Sequence, residues 1–458
     1  MLNQSAVWLS VVLVMGCLTL VIHLLSVLGK IYNLDREHVR KALHLIMGTI
    51  TLTFPWIFHS SWPVLLLSLV STAFITFIKT RRIQGWSKVV EASGRKSLGE
   101  TFFPLSVGLI FYLSGGDKFL YLTPIAILTY ADSASALIGM HFGKRKYFTV
   151  DGQKSGEGSL AFLLIAFLTT LLLSTTFGGF ATIHAVLLSL VVAIIAMLFE
   201  GISWRGLDNL LIPMGSLLAI HSHSALSFHS LRVSFFALAL MAIVFIAMRK
   251  RSTLTGSAIL GVVLFSYFAN LYGGPLWTLS PVLLFLTYKY LLPRRYRSLR
   301  KFHSIYGVLA VAVVGMFWLF MAIEKSDPRY LFPYTLAFAA HAAIIATAHM
   351  HHQPFETGFI RAHGRTKGRR GRLRLRILSL AVFKAWCLMC IPFFFASQDP
   401  LMIWLNIAFS PICIGIPTLM FYLSNSDKNK SLSRPGRWFK QASFASLGAG
   451  LGLIPLLI

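Results

Sequence analysis

Asp132 is the residue whose position most demands a chemical explanation. It lies within an apolar run, about 10 residues before Gly143–Lys146, so a helix would carry its carboxylate roughly 15 Å into that run. An unpaired carboxylate at such depth is costly, and a metal ion or a buried cation has to compensate it. Asp132, Ser135, Gly139 and Gly143 recur at helical spacing, giving one small, polar face that admits close packing or a ligand. Lys144, Arg145 and Lys146 follow, and then DGQKSGEGSLAF from Asp151 to Phe162. In that stretch Lys154 offers a point charge, and Ser155 and Gly158 belong to a glycine-rich loop. Ser159 is placed to cap the next helix, whose free first-turn N–H groups face any anion in the loop. Glu157 can ligate a metal that bridges phosphates. Two carboxylates with cations and glycines between them suit a nucleotide and a divalent ion.

Three other stretches bear on the same chemistry. In REHVRKALHLIMG, Arg36–Gly48, Arg40 and His44 are four apart on one helix face that Gly48 continues. Arg40 and Lys41 can contact phosphate, and His44 can hydrogen-bond or handle a proton; the alternative is topogenic charge beside a buried histidine. In RKSLGETFFPL, Arg95–Leu105, Glu100 follows Gly99 and opens an apolar run. A carboxylate is favoured there by the helix N-terminus alone, and also fits a site role. In FEGISWRGLDNLLIPM, Phe199–Met214, Glu200, Asp208 and Asn209 flank a loop. Asp208 and Asn209 either cap a helix or form a third polar wall of the site.

The elements that must position these groups are membrane helices. The chain of 458 residues is 56% hydrophobic and 12% charged, which excludes an ordinary soluble domain and a disordered chain. Apolar runs near 7–29, 42–58, 63–78, 98–114, 119–142, 159–177, 182–199, 208–221, 232–248, 254–271, 275–291, 304–323, 332–348, 377–397, 401–423 and 441–458 predict an all-α, polytopic integral membrane helical bundle of about 14–16 transmembrane helices. The 208–221 run is short enough to be re-entrant. The first run reads as an uncleaved anchor with the N-terminus outside.

The net charge of +27 invites a nucleic-acid reading, but its distribution argues against one. All of the 42 Lys and Arg except Lys118, Arg232, Lys289, Lys325, Arg329 and Lys384 fall on alternate loops, the positive-inside pattern. That pattern puts every motif above at the cytoplasmic face, and Arg361–Arg376 can grip anionic headgroups. The 4 cysteines, Cys17, Cys387, Cys390 and Cys413, lie in apolar runs and read as packing. His341, His349, His351, His352, Glu356 and His363 lack zinc-site spacing and read as interfacial. After residue 210 the acidic residues (Glu324, Asp327, Glu356, Asp399 and Asp427) all fall in predicted loops, so the chemistry belongs to the first half. We therefore divide the chain into a catalytic membrane domain, 1–230, and an additional helical domain of unknown role, 231–458.

At these residues the chain resembles the CTP-dependent polyprenol kinase family, which includes dolichol kinase, phytol kinase and the CTP-using diacylglycerol kinase and is related to phosphatidate cytidylyltransferase. The resemblance runs from about residue 36 to 215 and rests on Arg40-Lys41-x-x-His44, Gly99-Glu100, Asp132 with its small-residue stripe, Gly143-Lys144, Lys154-Ser155, Glu157-Gly158-Ser159, and Asp208-Asn209 with Pro213. The family usually has glycine before the key aspartate, where this chain has Ala131. The longer C-terminal signature of the cytidylyltransferases is absent. The resemblance implies transfer of the CTP γ-phosphate to a lipid alcohol. Mg²⁺ (or Mn²⁺) would sit on Asp132 and Glu157, with Lys144, Arg145 and Lys154 neutralising phosphate charge, and a nearby carboxylate or His44 would take the alcohol proton. Cytidylyl transfer to a phospholipid is the nearest rival. A transporter is the other, though it would place charge near the midplane between repeats, and none is visible.

Overall fold

The computed structural model describes residues 4–81, 83, 86–90, 97–291, 303–356, 367–390, 400–424 and 434–457. The basic residues Arg82, Arg95, Lys96, Arg294–Lys301, Arg361, Arg365, Lys428 and Lys430 lie outside them, as does His363. The described chain is almost entirely helical and forms two compact units, Met1–Leu240 and Met241–Ile458. Among the described residues ten helices are long and apolar enough to cross a membrane, and Gly99–Leu113, Pro275–Thr287 and Leu378–Met389 are shorter apolar helices. The chain is an integral membrane protein.

The first unit contains α1 (Gln4–Ile31), α2 (Arg36–Thr51), α3 (Phe54–Ile57), α4 (Ser61–Arg81), α5 (Trp86–Val90), α6 (Gly99–Leu113), α7 (Lys118–Ala126), α8 (Asp132–Phe142), α9 (Gly156–Thr176), α10 (Thr182–Ile202), α11 (Asp208–His223) and most of α12 (Phe228–Ala247). Leucines at 9, 13, 168 and 172 are exposed, as the acyl-chain face of a membrane bundle requires. The run expected as a span over 42–58 is broken. Asp35 caps α2 so early that its first turns are polar, and the helix ends before Pro55. With 16 residues, α2 and α11 are each roughly 24 Å long, short of a 30 Å hydrocarbon core.

Two features position the site. The first is the continuous span Lys118–Phe142, in which α7 passes into α8 through a π-helical turn, Ile127–Ala131. Pro124 already deprives the ladder of one N–H, and the Asp132 N–H reaches back five residues to the Ile127 carbonyl. The second is a β-hairpin, Lys146–Phe148 (β1) against Gln153–Ser155 (β2), an addition to the expected all-α fold. Asp151-Gly152 supplies its turn, with Gly152 at φ 143° and the Thr149 N–H bonded to the Gly152 carbonyl at 2.9 Å.

The second unit contains α13 (Gly256–Gly273), α14 (Pro275–Leu291), α15 (Ile305–Lys325), α16 (Leu331–Glu356), α17 (Lys367–Met389), α18 (Pro400–Ser424), α19 (Arg434–Leu451) and α20 (Ile454–Leu457). Its core is apolar, built around Trp318, Phe332, Tyr334 and Phe338. All four cysteines of the chain are free thiols, with Cys390 and Cys413 buried. His341 is buried and its Nδ1 bonds the Ala337 carbonyl at 3.1 Å. The side chains of His349, His351, His352 and Glu356 lie outside the described residues.

Candidate active site

Helix α2 lies along the π turn. Its Lys41 Nζ donates to Asp132 Oδ2 at 2.7 Å, and both side chains are buried. One turn on, His44 Nε2 stands 3.1 Å from the Leu128 carbonyl oxygen. A carbonyl only accepts, so Nε2 carries the proton and Nδ1 is left as an acceptor. The His44 ring also packs edge-on against Phe103, 4.9 Å between centroids. The compensating group that the depth of Asp132 demands is thus the ammonium of Lys41.

A second buried pair joins the hairpin to α10. Lys154 Nζ donates to Glu200 Oε1 at 2.7 Å and to the Glu200 carbonyl at 2.5 Å. Burial disfavours the Lys154 charge, but Glu200, Tyr147 and Asp208 outweigh it and raise the ammonium above its ordinary pKa. Burial and the Glu200 charge push the Tyr147 hydroxyl up to about 12. Asp132 and Asp208 lie within electrostatic reach of Glu200, and Lys41 and Lys154 within reach of Asp208. Three carboxylates and two ammonium groups from α2, the hairpin, α8, α10 and α11 therefore share one neighbourhood. Glu200 Oε2 is buried there without a hydrogen-bond partner. Beside it the Asp208 carboxylate accepts, among the described residues, from the N–H of Asn209 at 3.1 Å.

The Gly99–Glu100 corner closes the adjoining wall. The Leu98 N–H donates to the Arg205 carbonyl at 3.0 Å, and Gly206, at φ 83°, packs its backbone onto Gly99 so tightly that a methyl group there has no room. Glu100 accepts from Lys79 Nζ at 3.0 Å, and Arg40 stands 3.7 Å from its other oxygen while bonding Glu37. Lys79 was legible only as topogenic charge. Its place at the end of α4, opposite the start of α6, makes it the partner of Glu100.

Two expectations for the 143–159 stretch need correction. Glu157 does not join Asp132. Its carboxylate accepts from the N–H groups of Lys144 and Arg145 at 3.1–3.2 Å. Those groups lie beyond the far end of α8, roughly 16 Å along the helix from Asp132. Oxygens sharing one Mg²⁺ or Ca²⁺ sit within about 2.6 Å of it, so Asp132 and Glu157 cannot hold a common ion. Glu200 and Asp208 are the carboxylates near Asp132. Nor does Ser159 cap α9. The helix begins at Gly156, Ser155 accepts from the Gly158 N–H, and Ser159 meets the Tyr147 hydroxyl at 3.0 Å. Gly139, Gly143 and Gly158 form the seam between α8 and α9: a methyl group at Gly158 would fall 2.9 Å from the Ser135 carbonyl. Lys144 and Arg145 present exposed side chains at the mouth of that seam.

Oxygen donors of this kind suit a hard divalent cation. Among the described residues no three His, Cys, Asp or Glu form a complete cage. Mg²⁺ needs none, because it takes one or two carboxylates and completes its shell with water and substrate phosphates. The free Glu200 oxygen, with Asp132 and Asp208 near it, fits that requirement.

The chain is 31% identical over 214 residues to a phytol kinase of Synechocystis sp. (strain ATCC 27184 / PCC 6803 / Kazusa), an alignment covering 46% of this chain and 90% of that protein. The chain belongs to the phytol kinase family. No family profile matches it, and no solved structure does. Membership accounts for fewer than half of the residues of this family member, and the region of buried carboxylates and ammonium groups is where its chemistry would concentrate.

Proposed function

We propose that the protein is a membrane lipid kinase that transfers the γ-phosphate of CTP to an isoprenoid or similar lipid alcohol at the cytoplasmic face. The observation that carries this reading is the meeting of the Lys41–Asp132 and Lys154–Glu200 pairs with Asp208 in one buried neighbourhood of a membrane bundle. Kinship with a phytol kinase supports kinase chemistry on a lipid alcohol. CTP as donor rests on the family resemblance.

In this reading Asp132, with Glu200 or Asp208, holds Mg²⁺, which when bound neutralises charge on the triphosphate oxygens. Lys41 and Lys154 hold the Asp132 and Glu200 carboxylates in place. When phosphates enter they are free to turn toward them, since an ammonium is a point charge without a fixed fork. Lys144 and Arg145, exposed beside the hairpin, meet the triphosphate from the solvent side. The alcohol proton passes to a nearby acceptor, for which Glu100 and the Nδ1 of His44 are the candidates. The cytoplasmic orientation follows the basic loops.

The test is purified protein in detergent, each of the four nucleoside triphosphates, and a panel of lipid alcohols. Label from the γ position of CTP appearing in lipid supports the reading. Label from the α position in lipid with release of pyrophosphate would instead indicate cytidylyl transfer.

A further inference from the structure

The first unit holds a partly enclosed cavity in which the centre of a water molecule can occupy about 80 Å3, within about 810 Å3 of non-atom space that includes solvent at its mouth. Its walls are stripes of four helices. Val14 and Leu18 come from α1, and the face of α2 from Arg40 to Thr51 is followed by Phe54. Val64, Leu67 and Ile75 come from α4, and Phe103 and Val107 from α6. The charged, imidazole and amide groups gather at one end, whereas the wall hydroxyls of Thr51, Ser68 and Ser71 are already bonded to the Gly48 carbonyl, the Pro104 carbonyl and Met15 Sδ. The gathered groups are Arg40 and His44 from the first and middle turns of α2, Glu100 from the start of α6 and Asn209 from the start of α11. At that end Glu100 Oε1 and Asn209 Oδ1 are buried without a hydrogen-bond partner; the Glu100 side chain and Asn209 are each 7% exposed. The other end is lined by the buried side chains of Phe54 and Val64.

We propose that this cavity is the acceptor site. It takes one acyclic lipid alcohol lengthwise, with the hydroxyl at Glu100 and Asn209 and the tail toward Phe54. The proposal deepens the kinase reading and rests on it for the word acceptor. Asn209 Oδ1 lacks a donor and Glu100 Oε1 has the Arg40 guanidinium 3.7 Å away, beyond hydrogen-bond distance, so an O–H group between them would satisfy both; an apolar pocket with a few convergent polar atoms is the usual form of a small-molecule site. The same end adjoins the phosphate side, because the charges of both Glu100 and Asp132 act on Arg40.

The geometry also sets a chain length. From Arg40 to Thr51 the α2 stripe rises roughly 16 Å, and the α4 stripe from Val64 to Ile75 the same. An extended chain advances about 3.5 Å for every three bonds, so the cavity takes about 14 chain bonds. An isoprene unit contributes four chain bonds, which makes the occupant three to four units long. A much longer polyprenol would leave most of its tail outside.

Two measurements test this. The first is the ratio of kcat/KM for four-unit over two-unit prenyl alcohols. Leu67→Trp, which fills the middle of the cavity, is expected to lower that ratio at least tenfold. Phe54→Ala, which opens the floor, is expected to move the preference toward longer alcohols. An unchanged chain-length profile in both variants overturns the proposal. The second uses the unaltered protein and a three-unit prenyl alcohol carrying a terminal diazirine. Photolabel in the peptides of α1, α2, α3, α4 or α6 that line the cavity supports the site; label confined to helices that do not line it overturns it, whatever the variants do. If no alcohol is phosphorylated with any nucleotide, the kinase reading fails, and the photolabel still decides whether the cavity takes a prenyl alcohol.

Discussion

Replacing Lys41 by methionine removes the ammonium from Asp132 and keeps the length of the side chain. At the observed 2.7 Å separation the pair attracts by about 6 kcal/mol at an effective dielectric of 20. Desolvation of both charges takes back much of that, so the pair itself adds little net stability. Breaking it is another matter, because a buried carboxylate left alone costs about 3–5 kcal/mol. For a unit of this size 1 kcal/mol moves the melting temperature by about 2–4 °C, so Lys41→Met should melt roughly 6–20 °C lower. The assay is a thermal melt in detergent at one fixed scan rate, because unfolding of such proteins is often irreversible. The double variant Lys41→Met/Asp132→Asn should recover at least half of the loss, since neither side chain then carries a charge. A single variant within about 2 °C of the unaltered protein would show that Asp132 is hydrated. A double variant no better than the single would show that lost packing, and not charge, is responsible.

Other expectations follow from the same geometry. Lys154 is held above its ordinary pKa, so its pairing contributes stability that is fully present below pH 10.5 and lost as pH rises through the folded value. Lys154→Met should therefore flatten the alkaline limb of a melting-temperature profile, and an identical limb would contradict the pairing. Glu37 is held below its ordinary value because bonding to Arg40 outweighs burial, so its contribution is present above pH 4.5 and lost as pH falls through the lower folded value. Glu37→Gln should lessen acid destabilisation in the same melts. Glu200→Gln should weaken Mg²⁺ dependence of activity at least tenfold, whereas Glu157→Gln should leave it nearly unchanged; the reverse order would restore the Asp132–Glu157 pairing. Gly158→Val overpacks the seam between α8 and α9 and should lower stability by about 1–3 kcal/mol, read as a lower melting temperature.

The sequence reached the right helices and stopped where partners are chosen across them. Asp132 stood out because charge in an apolar run is expensive, and the Arg40–His44–Gly48 stripe because helical periodicity is local. Glu200 was visible only as a flanking carboxylate and Lys79 only as loop charge. Their roles depend on which helix ends meet, and that is set by packing. Glu157 misled for a related reason. Sequence proximity to Lys154 and Gly158 implied a shared site, but the hairpin turns Lys154 inward to Glu200 and leaves Glu157 against the Lys144 and Arg145 backbone. Asp151-Gly152 was the available signal for that hairpin. The π turn before Asp132 has no sequence signature beyond Pro124.

The central claim is that Asp132 belongs to a centre that passes the terminal phosphate of a nucleotide to a lipid alcohol. The most direct test compares γ-labelled CTP with a three- or four-unit prenyl alcohol in the unaltered protein and in Asp132→Asn, with melting temperatures recorded alongside. Label should enter the lipid with the unaltered protein and fall by at least about a thousandfold in the variant, as expected when an essential ligand for phosphate charge is lost. Undiminished transfer by a folded Asp132→Asn protein would contradict the account.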